Sequence, residues 1–150
     1  MNFNYLFIQT VISYFLLLIY FLICCYSDIK TKTISLYVTT IFFFIGTIFN
    51  IINSNYIFPA SILIGIILLI ISFLFSNSLG KGDGAMLIIC GVFLDFYDTL
   101  TVLFYGLLTA SVFSFFIIIK KHTKDYSFPF APFLLISYIT ILIIKLLKVI

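Results

Sequence analysis

Five stretches of this chain are apolar over the length needed to cross a bilayer, residues 5–26, 34–52, 57–75, 99–119 and 133 to about 150, and this excludes most folds before any motif is considered. A hydrocarbon core about 30 Å thick takes roughly 20 helical residues to span. Inside it each backbone polar group must be satisfied within its own segment, which favours helices. A sixth run, 85–94, is short, but extended through Gly82 and Tyr97 it reaches roughly 24 Å at about 1.5 Å per residue. That suffices for a thinned or locally buried path. With 64% hydrophobic residues, 9% charge and a mean hydropathy of +1.33, an ordinary soluble core is ruled out. The expected fold is an all-α membrane protein, a single-domain bundle of six transmembrane helices. Met1-Asn2-Phe3-Asn4 lacks the basic residues of a secretory signal and the run behind it spans by itself, so the first helix is expected to be retained.

The charges are few and unevenly placed. Lysines 30 and 32 follow the first run, Lys81 the third, and Lys120, Lys121 and Lys124 the fifth, whereas the loops 53–56 and 95–98 hold none. Short cytoplasmic loops collect lysine and arginine, so the first, third and fifth loops should be cytoplasmic and both termini outside. Lys145 and Lys148 oppose this reading, two against six. No basic stripe is present to grip a phosphate backbone, so nucleic acid is not an expected partner.

The topology puts Asp28, in the first loop, and Asp83, in the third, at one cytoplasmic face of the membrane. An ionisable side chain so close to hydrocarbon carries a desolvation cost, and its default reading is functional. Asp83 sits in Gly80-Lys81-Gly82-Asp83-Gly84, where residues without a Cβ let the backbone approach another chain closely. Two carboxylates sharing a site cannot both ionise easily, so one keeps a proton while the other stays charged. That arrangement can activate a water and polarise a peptide carbonyl, as aspartic proteases do.

These residues carry a resemblance. Asp28-Ile29-Lys30-Thr31-Lys32-Thr33-Ile34 resembles the first active-site segment of the type IV prepilin peptidases, in which an aspartate is followed six residues later by Ile and usually Pro; Ser35 stands in the proline's place. Gly80-Lys81-Gly82-Asp83 is similar to the Gly-x-Gly-Asp signature of the same membrane aspartyl peptidases, although Ala85 replaces a lysine common there. Phe128-Pro129-Phe130-Ala131-Pro132-Phe133 resembles the segment that opens their last helix. Each motif alone is weak, and the ordered set is stronger. The resemblance implies a membrane-embedded aspartic endopeptidase that removes the leader peptide of prepilin-like or pseudopilin substrates at the cytoplasmic face of a prokaryotic cell membrane. Asp28 and Asp83 would be catalytic, Gly80, Gly82 and Gly84 would shape the loop or contact substrate, and no metal or other cofactor would be required. The methylating cytoplasmic portion of many relatives is not expected, which suggests a peptidase-only form.

The remaining polar residues have plainer readings. Asp95 and Asp98 form a rival pair, read as a solvated acidic turn outside, and Asp125 as a charge balancer. His122, without a second ligand at metal spacing, is a solvated loop residue. Cys24, Cys25 and Cys90 form no disulfide framework or zinc pair and read as small hydrophobes, with acylation of Cys25 a second possibility. The 20 Phe and 10 Tyr are expected to face lipid and its interfaces. The competing functional class is a small non-enzymatic polytopic protein, a transporter subunit or inactive assembly partner, whose acids bind a cation or relay protons. The sidedness is directly testable in a background stripped of the native cysteines. A membrane-impermeant thiol reagent added outside should reach Asp98→Cys and not Lys81→Cys, and the reverse pattern would refute the assigned face.

Overall fold

The computed structural model describes residues 3–53, 59–74, 80–121 and 129–149. His122, Lys124, Asp125 and Phe128 lie outside the described residues, as do the side chains of Lys81, Lys120, Lys121 and Lys148. Six helices and no strand occur among the described residues: α1 (Phe3–Thr31), α2 (Leu36–Ile52), α3 (Pro59–Leu74), α4 (Lys81–Phe93), α5 (Phe96–Lys121) and α6 (Ala131–Val149). Two contain stretches long and apolar enough to span a membrane, Gln9–Thr31 and Phe96–Ile117. Only 22% and 17% of their most apolar windows is buried, unlike the core helix of a soluble protein. Phe15, Leu22, Phe104, Phe115 and Phe116 are all exposed. A contiguous apolar surface of this extent requires an apolar medium. The other four helices are apolar but shorter.

Helix α4 is the hub, packing on α1, α2, α3 and α5. Its residues Ala85, Met86, Leu87, Ile89, Cys90 and Val92 are buried, covering every side of the helix rather than one stripe. Enclosure accounts for its length: 13 residues rise only about 20 Å, and a helix wrapped by protein has no need to match the bilayer. Around it α1 contributes Leu17, Tyr20, Phe21 and Cys24, α5 Val102, and α6 Ala131, Leu134, Tyr138 and Ile141. Tyr20, Phe21 and Tyr138 are therefore core residues, with the Phe21 and Tyr138 rings stacked at 5.2 Å, and the expectation that the aromatics face lipid holds only for others.

Apolar side chains gain little by leaving lipid for a protein interior, so association relies on close packing and interhelical hydrogen bonds. Both are present. A Cβ added to Gly65 would lie 2.4 Å from the backbone N of Ile88, and one added to Gly91 would lie 2.5 Å from the carbonyl carbon of Ser61. These contacts fix α3 and α4 as an antiparallel pair touching backbone to backbone. Hydrogen bonds tie the other helices: Asn50 Nδ2 donates to Val92 O (2.7 Å), Ser137 Oγ to Val102 O (2.8 Å) and Tyr138 OH to Tyr14 O (2.6 Å).

Helix boundaries depart from the apolar runs at two informative places. α1 continues to Thr31, so Asp28 belongs to its last turns rather than to a loop, and Asp83 lies in the first turn of α4. α5 starts at Phe96, which brings Asp98 into a helix. Hydropathy ends where polar side chains begin, but backbone hydrogen bonding does not: Asp28 O still accepts from Lys32 N at 2.9 Å, and Asp95 O from Thr99 N at 2.9 Å.

The α3–α4 contact yields a contrast between glycines. Gly65→Ala and Gly91→Ala should each destabilise the protein by roughly 1–3 kcal/mol, since backbone atoms must move apart. Gly106→Ala should cost less, because its Cβ would meet only the end of the Leu134 side chain. Thermal unfolding of the purified variants in detergent checks the order.

Candidate active site

The two acids singled out in the sequence come to one end of the bundle. Asp28 is carried by the end of α1 and is buried, with 7% of its surface exposed. Its Oδ2 accepts a hydrogen bond from the backbone N–H of Ala131, the first residue of α6, at 2.9 Å. The first N–H groups of a helix have no partner within it, and a carboxylate from another helix fills one of those vacancies.

Asp83 approaches from α4. Outside the two spanning stretches and half-buried, it has its carboxyl pushed up to about 7, first by burial and next by the negative charge of Asp28, with a backbone hydrogen bond to Gly80 acting in the opposite sense. The Asp28 charge therefore reaches Asp83 across the gap between α1 and α4.

The local chain path explains how the two segments meet. α1 is followed by Lys32, whose φ of 53° is left-handed, a conformation costing a side-chain-bearing residue roughly 1–2 kcal/mol. Ser27 Oγ and Thr31 Oγ1 both donate to Thr33 O, at 2.8 and 3.3 Å, holding the reversed chain against the helix it has just left. Ile34 is thereby delivered onto Gly82, where an added Cβ would lie 2.7 Å from Ile34 Cδ1. Gly80 has a different role: a Cβ there would come within 2.8 Å of Asp83 Oδ2, so its absence leaves the carboxyl its space. Gly84 faces α3, its missing Cβ 2.8 Å from Leu69 N. Among the described residues no group of three or more His, Cys, Asp or Glu side chains is arranged to hold a metal ion.

With this geometry in view, residues 14–117 match the type IV leader peptidase family. The chain belongs to that family. The matched stretch contains both aspartates and all three glycines and stops before α6, so the Ala131 contact lies outside it. No curated protein and no solved structure matches the chain. Membership of this membrane-associated peptidase family identifies the chain as leader peptidase-like, in keeping with its two spanning stretches.

The rival acids separate. Asp95 is exposed, as a solvated turn residue should be. Asp98 is not: only 17% of its side chain is accessible, and it forms an ion pair with Lys145 Nζ of α6. Lys145 also donates to Tyr14 OH at 2.7 Å and lies over the Tyr14 ring, 5.4 Å from its centroid. A lysine within the apolar run 133–150 was the available signal, since such a residue near hydrocarbon needs a partner. Asp95, exposed where Asp98 is paired, is accordingly the better site for the thiol label. This cluster lies at the end of the bundle opposite Asp28, joining α1, α5 and α6. Removing one partner leaves a half-buried charge unanswered, so Asp98→Asn should lower stability by about 1–3 kcal/mol. Asp95→Asn should change it by less than about 0.5 kcal/mol, with chemical or thermal denaturation as the measurement.

Proposed function

We propose that the protein is an aspartic endopeptidase in which Asp28 and Asp83 act together on a water molecule and the scissile peptide bond of a prepilin-like leader, at the cytoplasmic membrane face. The observation that carries this reading is the meeting of two half-buried or buried carboxylates from separate helices, α1 and α4, with the charge of one felt by the other. A structural acid near hydrocarbon is ordinarily answered by a cation, as Asp98 is by Lys145. Asp28 is answered by a neutral amide, and Asp83 by its own raised proton affinity. A pair that shares a proton can accept one from water and give one to a carbonyl in the same step.

Substrate entry follows from the same layout. Prepilin-like substrates present an apolar helix directly after the cut, by the resemblance of the motifs, and the exposed apolar faces of α1 and α5 are in contact with the medium such a helix occupies. The substrate helix could then approach through the bilayer while its polar leader stays at the membrane face. The proposed unit is a single domain over 1–150 with six membrane helices and both termini outside, and its partners are the prepilin-like or pseudopilin substrate protein and the bilayer.

Paired substitution decides between this reading and the non-enzymatic one. Asp28→Asn and Asp83→Asn should each reduce leader cleavage by at least about a thousandfold while the protein still inserts, because members of one catalytic unit fail together. Asp95→Asn should retain most activity, its exposed charge acting only through a screened field. The assay is cleavage of a prepilin-like substrate in membranes with expression-matched variants. Near-normal processing by either site variant would overturn the aspartic mechanism and bring forward an acid site that binds a cation or relays protons.

A further inference from the structure

The segment that carries Asp28 and the segment that carries Asp83 meet at one side chain, Ile34. On the Asp28 side the path to it is held by hydrogen bonds. Asp28 O accepts from Lys32 N at 2.9 Å, and Lys32, with its φ of 53°, turns the chain back. Ser27 Oγ then donates to Thr33 O at 2.8 Å, so the chain enters Ile34 at a fixed place relative to Asp28. The chain beyond Ile34 is anchored as well. Thr39 donates to Ser35 O through its N–H (3.2 Å) and its hydroxyl (3.1 Å), and Thr39 Oγ1 lies 3.2 Å from the OH of Tyr20, a fully buried residue of α1. Ile34 is thereby held between two ties to α1.

On the Asp83 side the first turn of α4 is clamped. Asp83 N donates to Gly80 O at 3.0 Å, so residues 80–83 form one closed turn. Gly82 and Gly84 are two apart on the helix and point to different sides. A Cβ on Gly84 would lie 2.8 Å from Leu69 N of α3, and one on Gly82 would lie 2.7 Å from Ile34 Cδ1 and 2.9 Å from Ile34 Cβ and Cγ1. The turn is thus seated on α3 at one face and on Ile34 at another, with Asp83 between the two glycines. The contact with α3 fixes the turn within the bundle, whereas the contact with Ile34 fixes it relative to Asp28. A β-branched side chain suits that task, because its χ1 is restricted.

Resting on the peptidase reading above, we infer that Ile34 is a positioning residue, a strut seated in the space left by Gly82 that sets the separation of the Asp28 and Asp83 carboxyls. It acts through the backbone of its neighbours. A displacement of about 1 Å between reacting groups can cost as much as about a hundredfold in rate, so the presence of a few carbon atoms at this contact is enough to govern activity.

Bifunctional thiol reagents of two lengths read the separation without any substrate. In Asp28→Cys/Asp83→Cys protein stripped of Cys24, Cys25 and Cys90, the ratio of linking by the short reagent to linking by the long one reports the spacing. Ile34→Ala and Gly82→Ala should each lower that ratio about threefold or more, whereas Ile34→Val, which keeps Cβ and Cγ1, should leave it unchanged. With the native acids in place, Ile34→Ala and Gly82→Ala should each lower kcat for a prepilin-like substrate about tenfold or more at an unchanged KM. Combined, they should lower it by less than the product of the single effects, because both act on one contact.

Gly46→Ala is the matched control. Its Cβ would first meet side-chain atoms, Val92 Cγ1 at 2.7 Å and Phe93 Cε2 at 2.8 Å, at the other end of α4. It should leave the ratio and kcat within about twofold of native, since the clash is distant from the pair. An unchanged ratio in a folded Ile34→Ala protein overturns the proposal, as does an equal fall in Gly46→Ala or a fall in the ratio without a fall in kcat in an active enzyme. If the ratios behave as expected while the native protein cuts no prepilin-like substrate, the strut stands and the peptidase reading fails. Should Ile34→Ala not fold, Ser27→Ala combined with Thr31→Ala removes the hydroxyls that hold Thr33 O and decides the question through the same ratio, which should again fall.

Discussion

Enclosure of α4 is the constraint on which the rest of the molecule depends. A helix of 13 residues cannot match a hydrocarbon core about 30 Å thick, and exposed on its own it would leave its ends in lipid. Walled in by α1, α2, α3 and α5, it escapes that requirement. The cost of enclosure is that neighbours must come close enough to leave no voids. Gly65 and Gly91 permit this, since the atoms they admit are backbone atoms of the facing helix, which a rotamer change cannot move aside. Asp83 inherits its position from that contact: Gly84, the next residue, is seated on the backbone of Leu69.

Polar groups within the bundle are sorted toward two ends, and the chemistry of the ends differs. At one end Lys145, Asp98 and Tyr14 form a group in which positive and negative charges cancel and Lys145 Nζ, Asp98 Oδ2 and Tyr14 OH bond to one another. Such an arrangement holds three helices together and offers nothing to a reactant. At the other end Asp28 accepts the Ala131 amide, and Asp83 carries the raised proton affinity that burial and the Asp28 charge give it. Like-charge proximity lowers stability. Its persistence here, in contrast to the paired Asp98 and Lys145, supports the proposal that this end serves chemistry rather than folding.

Much of the fold was legible because bilayer thickness imposes a length on apolar runs, so α1, α2, α3, α5 and α6 were visible as such and α4 was recognisable by its shortness. Their ends were not. Asp28 and Asp98 looked like loop residues because hydropathy reads side chains, whereas helices continue for as long as the backbone finds carbonyl partners. The setting of Lys145 was hidden for a related reason: a lysine count says nothing of partners, and the partner of this one, Asp98, is supplied by α5. The pairing of Asp28 with Asp83 could be inferred from loop parity alone. The Ala131 contact could not, because a backbone N–H leaves no trace in residue identity; only the Pro-flanked segment that opens α6 hinted that the chain did something particular there.

Two departures from the family pattern gain physical meaning from this arrangement. Ser35 stands where a proline is usual, and its φ of −69° at the cap of α2 is close to the value a proline ring would impose. The serine therefore keeps the backbone path that delivers Ile34 onto Gly82, losing only the restriction that proline places on the unfolded chain. Ala85 is the second. It is buried in the core on α4, and because residues two apart on a helix point to different sides, its side chain and that of Asp83 do not share a face. What raises the proton affinity of Asp83 is its own burial and then the Asp28 charge, with the Gly80 backbone opposing them, so the alanine need take no part in it.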